Sequence, residues 1–266
     1  MEDTLLIDFH VHSTYTKDSP NSIPNIVSAV AASGLDGFCL TDIHTMDGAD
    51  EAKEAASEAG LVALVGMEAV TNKGHFLVFF PEPRKLPNIP MLVEIDSDGI
   101  IPIHSLMSAV KSHDGILIAA HPYDRSIEHA SGDSIVRLDS LAGIEVGNAR
   151  RSATINHMAE EVAAGLGLVG VAGSDARSDL QQVGSAATLL RGPIKTEADL
   201  IEKILSFDAW PVLIGKQPQR RTPPRRRQSS GRNRIGRNQR SRSNNRSRDG
   251  HGRKNSGQRG RGRNKH

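Results

Sequence analysis

The stretch LLIDFHVHS near the start of the chain places Asp8, His10 and His12 at intervals of two. In an extended strand every second side chain points to the same face. The spacing therefore predicts a carboxylate and two imidazoles side by side where an apolar run ends. Neutral imidazole is a ligand for zinc, iron and manganese, and carboxylates join it around divalent ions. The same residue types recur along the chain. Asp42 and His44 follow GFCL, Glu68 closes LVALVGM, His75 opens HFLVFF, His121 follows GILIAA and Asp175 follows LVGVAGS. A lone histidine in an apolar stretch is ordinarily a satisfied core or surface residue. A set of them at equivalent ends of successive runs is different, because each group would cost several kcal/mol if buried without a partner. The pattern predicts a divalent metal site. His104, His113, His129 and His157 lie off it and read as ordinary residues.

The elements that must position these groups alternate between strand-like and helix-like. Several apolar runs are nearly continuous, as strands buried on both faces should be. Between them, Ile23, Ile26, Val27 and Val30 follow helical spacing up to Gly34, and MDGADEAKEAASEAG is rich in helix formers and stops at Gly60. Ile155, Met158, Ala159 and Val162 line one face of another helix, and Thr196 with Asp199 forms a capping-box pattern ahead of Leu200. Repeated β–α units predict an α/β fold with a parallel sheet, open or closed into a barrel. In closed barrels of this kind the active site lies at the C-terminal ends of the strands.

The 266 residues carry a formal net charge of +2, which hides a sharp division. Residues 216–266 hold 19 Lys and Arg against a single acid, Asp249, whereas residues 1–215 hold 14 basic and 30 acidic residues. The two parts are read as an acidic folded domain, 1–215, and a basic Arg/Gly/Ser-rich tail, 216–266. The tail buries too little apolar surface to offset the entropy of ordering, so disorder is expected there. Cys39, the one cysteine, lies inside GFCL and reads as a buried thiol. No apolar run approaches the ~18 residues of a membrane span and no leader pattern is visible, so a cytoplasmic protein without membrane contact is expected.

In order along the chain, DFHVHSTYTKDS, LTDIHTMDGA, GMEA, GHFLVFF, AAHPY, GIEVGN and GSDAR resemble the motifs of the PHP (polymerase and histidinol phosphatase) family over about residues 4–190. The resemblance implies a distorted, TIM-like (β/α)7 barrel that holds up to three metal ions and hydrolyses phosphate esters. Carried over position by position, it assigns the first ion to His10, His12, Glu68 and Asp175, and the second to the shared Glu68 with His75 and His121. For the third ion Asp18 matches, but Ile43 stands where the family's TDH motif has its histidine, and Arg177 where SDAH has its own. His44 falls one residue late, and in a regular strand that shift turns a side chain to the opposite face. Two ions (Mn, Zn or Fe) without a third are therefore expected, with Glu68 bridging and an activated water as nucleophile. Asp8 is a candidate for orienting a histidine ring. Arg177 either grips the substrate phosphate in place of the missing ion or points outward over a decayed site, and Arg150 either faces substrate or lies on the surface.

Arg-rich tails bind nucleic acid through phosphates, and this one, with Arg225, Arg226 and Arg227 at its densest run, contains no aromatic residue for base stacking. It reads as a contact for nucleic acid, RNA in the first instance. A solubilising tail, or one that folds back on the acidic domain, is the alternative. The leading function is a metal-dependent phosphoesterase for nucleotides or nucleic-acid ends. The alternatives are a small-molecule phosphatase similar to histidinol phosphatase, or a non-catalytic RNA-binding barrel related to the RNase P protein component. The sequence leaves the oligomeric state open.

Overall fold

The computed structural model describes residues 4–86 and 92–215. Nine strands form one sheet: β1 (Thr4–Val11), β2 (Gly37–Leu40), β3 (Val62–Thr71), β4 (Gly74–Phe79), β5 (Ile116–Ala120), β6 (Leu141–Asn148), β7 (Val169–Gly173), β8 (Ala186–Arg191) and β9 (Ala209–Leu213). Among the helices, α1 (Ile23–Ala32), α2 (Ala49–Glu58), α4 (Ala153–Leu166) and α5 (Glu197–Leu205) lie where the apolar spacing predicts them. The capping box of α5 forms as expected, with Thr196 and Asp199 each bonding the other's backbone N–H. A further helix, α3 (Ile103–Ser112), buries Ile103, Leu106, Ala109 and Val110.

The strand order is β7-β6-β5-β4-β3-β2-β1-β8-β9. Strands β1, β2 and β3 run parallel, as do β5, β6 and β7. The purely parallel sheet expected from the β–α alternation is not what forms, because β4, β8 and β9 run antiparallel to their neighbours. The reason for β4 is local. A two-residue turn joins β3 to β4, and antiparallel strands need no crossover helix. Thr71 Oγ1 donates to the Gly74 carbonyl across that turn at 2.7 Å. Gly74 has φ +119, and a Cβ there would lie 1.8 Å from Ser131 Oγ, so only glycine fits.

The reversal of β4 matters for function. It brings the start of β4, and with it His75, to the same end of the sheet as the C-terminal ends of β1, β2, β5, β6 and β7. The sheet then curls until β7 meets β1. Ser174 N–H donates to Asp8 Oδ1 at 2.8 Å, and His12 N–H to the Ala176 carbonyl at 3.1 Å. Gly173 permits this approach, since a Cβ there would sit 2.6 Å from His10 N. The result is a nearly closed barrel.

Apolar packing holds it from both sides. Ile7, Phe9, Leu64, Leu77, Phe79, Ile118 and Val171 share one buried cluster with Leu200, Ile201 and Ile204 of α5. Helices α1 and α2 cover β1–β3 through Ile23, Ile26, Val30, Ala52 and Ala56. Each large aliphatic or aromatic side chain buried in this way contributes about 1.5–3 kcal/mol. Cys39 is a buried free thiol, as the sequence predicts. Among the described residues no helix is long and apolar enough to cross a membrane. The tail, including Arg225, Arg226 and Arg227, lies outside the described residues.

Candidate metal centre

Glu68, in β3, is the hub of the polar cluster at the barrel mouth. Its Oε1 lies 2.8 Å from His75 Nδ1 and 3.1 Å from His121 Nε2. Its Oε2 lies 3.3 Å from His12 Nε2 and 3.6 Å from His10 Nε2. One carboxylate thus faces a pair of imidazoles on each oxygen. Asp175 joins the second pair, with Oδ1 3.8 Å from His12 Nε2. The six residues that the sequence singles out as ligands for two ions therefore converge, although they come from β1 and the residue after it, β3, the start of β4 and the loops after β5 and β7. His121 and Asp175 leave their strands with φ of +28° and +52°. These left-handed conformations are uncommon outside glycine and collect at functional sites.

In His10, His12 and Asp175 the opposite atom is tied to the scaffold, and this decides what the inward atom can do. Thr16 Oγ1 donates to Asp42 Oδ1 at 2.6 Å and accepts from Ile43 N–H at 3.0 Å. A hydroxyl has one proton and two lone pairs. The remaining lone pair faces His12 Nδ1 at 3.2 Å, so Nδ1 must carry the hydrogen. His12 Nε2 is then a bare lone pair, buried and without a hydrogen bond. His10 repeats the arrangement, with Nδ1 2.9 Å from Glu145 Oε1 and Nε2 buried and unbonded. Asp175 Oδ2 accepts from Arg151 Nη2 at 3.0 Å and Asn148 Nδ2 at 3.3 Å, which leaves Oδ1 facing inward.

Lone pairs aimed at carboxylate oxygens repel unless a cation lies between them. The donor set consequently fits a divalent ion, and the ligand atoms of His10, His12 and Asp175, of His10, His121 and Glu145, and of Glu68, His75 and His121 each lie within 4.8 Å of one another. Protonation shows the same demand for positive charge. Burial opposes charge on His10, yet the carboxylates of Glu145, Asp175 and Glu68 push its pKa well up. Burial also works against the charge on Glu68, but the charge of His10 and hydrogen bonds from His121 and His75 hold it well below the usual carboxylate range. For His12 burial prevails and brings it to about 4, against the pull of Glu68.

A sequence model of the PHP domain matches residues 8–135, and one of the PHP-associated region matches residues 154–206. The chain belongs to the PHP family of metal-dependent phosphoesterases. No curated protein matches it in sequence. Among solved structures, this PHP chain is similar to a protein of Bifidobacterium adolescentis assigned as a metal-dependent phosphoesterase, with 21% identity and a TM-score of 0.56 over 75% of this chain and 95% of that one. It is also similar to a two-domain protein of Bacteroides vulgatus with a PHP-like region, at 18% identity and a TM-score of 0.63 over 80% of this chain and 66% of that one. A third likeness is to the lesion-specific endonuclease Q of Pyrococcus furiosus, at 16% identity and a TM-score of 0.56, covering 79% of this chain and 58% of that one. At these identities the likeness is one of fold.

The rim of the PHP site differs from its floor. Asp18 is exposed on a turn with φ +66, away from the His/Asp/Glu clusters found among the described residues. Ile43 makes a bridge to Glu68 through its backbone. His44 does not follow the regular strand alternation. Its backbone turns to φ +57 and its N–H donates to the Glu68 carbonyl at 3.0 Å. Burial lowers its pKa, with Glu68 opposing and His75 adding to the shift, so the ring lies near the hub but outside the donor clusters. Arg177 lines the same cavity of about 260 Å³ as Glu68, His75 and His121, and its Nη2 donates to the Lys17 carbonyl at 3.2 Å. Arg150 lines it too, donating to the Asp175 carbonyl and Ser178 Oγ.

Asp8 does not orient a ring. Its Oδ1 accepts from the backbone N–H of His10 at 3.1 Å and of Ser174. The pairing of β1 with β2 shifts between Asp8 and Val11, so the strict two-residue alternation expected for Asp8, His10 and His12 is broken. Complete burial raises the Asp8 pKa to about 7. The ring-orienting role falls to Glu145, from the GIEVGN motif, whose Oε2 is itself held by His121 N–H and Asn148 Nδ2. Its signal in the sequence is a carboxylate inside an otherwise apolar strand. Arg151 and the Asp42–Thr16 pair were likewise missed as supports. Two adjacent arginines do not disclose which one turns inward, and a hydroxyl four residues past a histidine has no distinctive pattern.

Proposed function

We propose that the chain is a two-ion phosphoesterase that acts on nucleotides or nucleic-acid ends, with Arg177 and Arg150 gripping phosphate and the basic tail contacting nucleic acid. The observation that carries this reading is the Glu68 carboxylate with a histidine pair on each oxygen. His10, His12 and Asp175 would hold one ion, His75 and His121 the other, and Glu68 would serve both. Ions bound there would supply Lewis acidity toward a phosphoryl oxygen and lower the pKa of water. The protein supplies the rest. Glu145 and Thr16 each accept from Nδ1, so the neutral rings of His10 and His12 would present the Nε2 lone pair to an ion. Arg151 and Asn148 hold Asp175 in place. Among the described residues Arg177 and Arg150 are bonded only to carbonyls and a serine hydroxyl, so their charge is available to a phosphate at the cavity rim. Arg177 stands where a third ligand histidine would be, and a fixed cation there offsets charge that developing phosphoryl oxygens carry.

Retention of six ligands argues against a non-catalytic RNA-binding barrel. A nucleic-acid substrate is supported by the basic tail and by the fold shared with endonuclease Q, which was seen with a 27-mer duplex bearing an abasic lesion at its active site. The test is metal analysis of the purified protein together with hydrolysis of a generic aryl phosphate and of a 5′-phosphorylated oligonucleotide with Mn²⁺. Two ions per chain with turnover of the oligonucleotide are expected. Turnover of small esters alone would favour a small-molecule phosphatase, and absence of both metal and turnover would overturn the enzymatic reading. Removal of residues 216–266 should abolish salt-sensitive binding of RNA, and a gain of basal activity instead would point to a tail that covers the site.

A further inference from the structure

We propose that a second cavity, beside the catalytic one, is the subsite for the nucleoside part of a phosphorylated substrate. The inference rests on the phosphoesterase reading above and deepens it. The second cavity measures about 560 Å³ and the catalytic one about 260 Å³. Ser126 lines both. The wall between them is a chain of charges. Asp124 faces the outer cavity and pairs with Arg151 Nε at 2.9 Å, and Arg151 reaches Asp175 at 3.0 Å on the catalytic side. The outer cavity is built from the loop after β5 and from the start of α4, which follows β6. Both lie at the barrel end that carries His121 and Asn148. With Ser126 on both linings, a substrate whose phosphate sits at Glu68 would extend past it into the outer cavity.

The lining indicates what would enter. Tyr123, Ile155 and Met158 form an apolar side. The Tyr123 hydroxyl is spent on Asp133 at 3.0 Å, so the residue offers its ring. Met158 is 38% exposed, and its polarizable thioether suits contact with an aromatic face. Ser126, Thr154 and Arg125 supply polar groups, and Arg125 makes no ion pair among the described residues. A nucleoside presents the matching chemistry, with an apolar planar face on the base and polar edges and hydroxyls around it. The volume falls in the range of about 300–1,000 Å³ typical of small-molecule sites. A phosphate alone would leave the cavity empty.

Two variants test the assignment. Thr154→Trp fills the cavity from the exposed start of α4, and Met158→Glu places a charge on its apolar side. The readout is selectivity, taken as kcat/KM for a nucleoside 5′-monophosphate divided by that for glycerol 3-phosphate. The native protein should favour the nucleotide, and each variant should lower the ratio about tenfold or more, the scale of losing contacts in a pocket. Unchanged ratios in both variants would overturn the subsite while leaving the phosphoesterase reading intact. If no ester is hydrolysed, that reading falls, and calorimetric binding of the nucleoside monophosphate to the Mn²⁺-loaded protein decides the subsite. Binding in the native protein that weakens in both variants supports it, and equal or absent binding in all three overturns it.

Discussion

The floor and the rim of the barrel mouth are built on opposite plans. On the floor, three groups are bonded to the scaffold through the atom that faces outward: His10 to Glu145, His12 to Thr16, Asp175 to Arg151 and Asn148. Their inward atoms have one remaining use. At the rim, Arg150 and Arg177 end long flexible side chains held by carbonyls and one hydroxyl. The floor is held in fixed geometry, which fits a divalent ion, and the rim is adaptable, which on the proposed function would suit a phosphate that arrives and leaves. The contrast teaches that losing a third-ion motif need not disturb the other two. Among the described residues no hydrogen bond joins the side chain of Ile43 or Arg177 to a floor residue.

The comparison can be broken first at the hub. Glu68→Gln removes the charge that both histidine pairs face, and should lower metal content per chain and cost about 10³-fold or more in kcat, measured by elemental analysis and steady-state kinetics. Retention of both ions would show that the pairs hold metal without the bridge. Thr16→Val should act through metal affinity. With no acceptor for Nδ1–H, His12 can place its hydrogen on Nε2, and chelator competition should show affinity weakened by about 10–100-fold. Thr16→Ser should restore it, and ¹⁵N NMR of the metal-free protein should report the changed tautomer. Arg177→Ala tests the rim. It should lower kcat/KM for phosphate esters by about tenfold or more, with metal content unchanged. Equal loss of both would place Arg177 on the floor.

The smallest effect is expected far from the mouth. Asp199 has its pKa lowered, against a burial penalty, by the backbone N–H groups of Lys195 and Thr196 and the Thr196 hydroxyl. A carboxylate whose folded pKa is depressed contributes stability above its unfolded value and loses it as pH falls through the folded one. Asp199→Ala should therefore cost about 0.5–2 kcal/mol at neutral pH in thermal unfolding, and the difference should shrink below about pH 4. Metal content and turnover should not follow it. A matching loss of activity would mean that α5, packed with β1 and β3 in one cluster, transmits its fraying to the floor.

Much of the floor was legible because its residues are chemically conspicuous. A histidine or carboxylate at the end of an apolar run is costly unless it is used, and the ends of strands in a β/α chain meet. The helices were legible for the same reason, through apolar spacing and caps. The supports were not. Glu145 and His10 are 135 residues apart, and whether they touch depends on the shift in β1 pairing and on how far the sheet curls. The reversal of β4 also escaped, since a two-residue turn and a longer connection read alike when both flanking runs are apolar.

By itself, then, the sequence determined the inventory: which groups are available to a metal, that they lie at the ends of apolar runs, that an acidic stretch precedes a basic one, and that Ile43 and Arg177 depart from the histidines of the PHP motifs. Tertiary structure alone decided which atom of His10, His12 and Asp175 faces inward, that Asp8 braces the backbone while Glu145 orients the ring, and that Arg151 holds the Asp175 carboxylate while Arg150 bonds its carbonyl. The physical reason is range. Residue type and spacing are set along the chain. A tautomer, a bridging carboxylate or a free guanidinium is set by hydrogen bonds of about 3 Å between segments that only packing brings together.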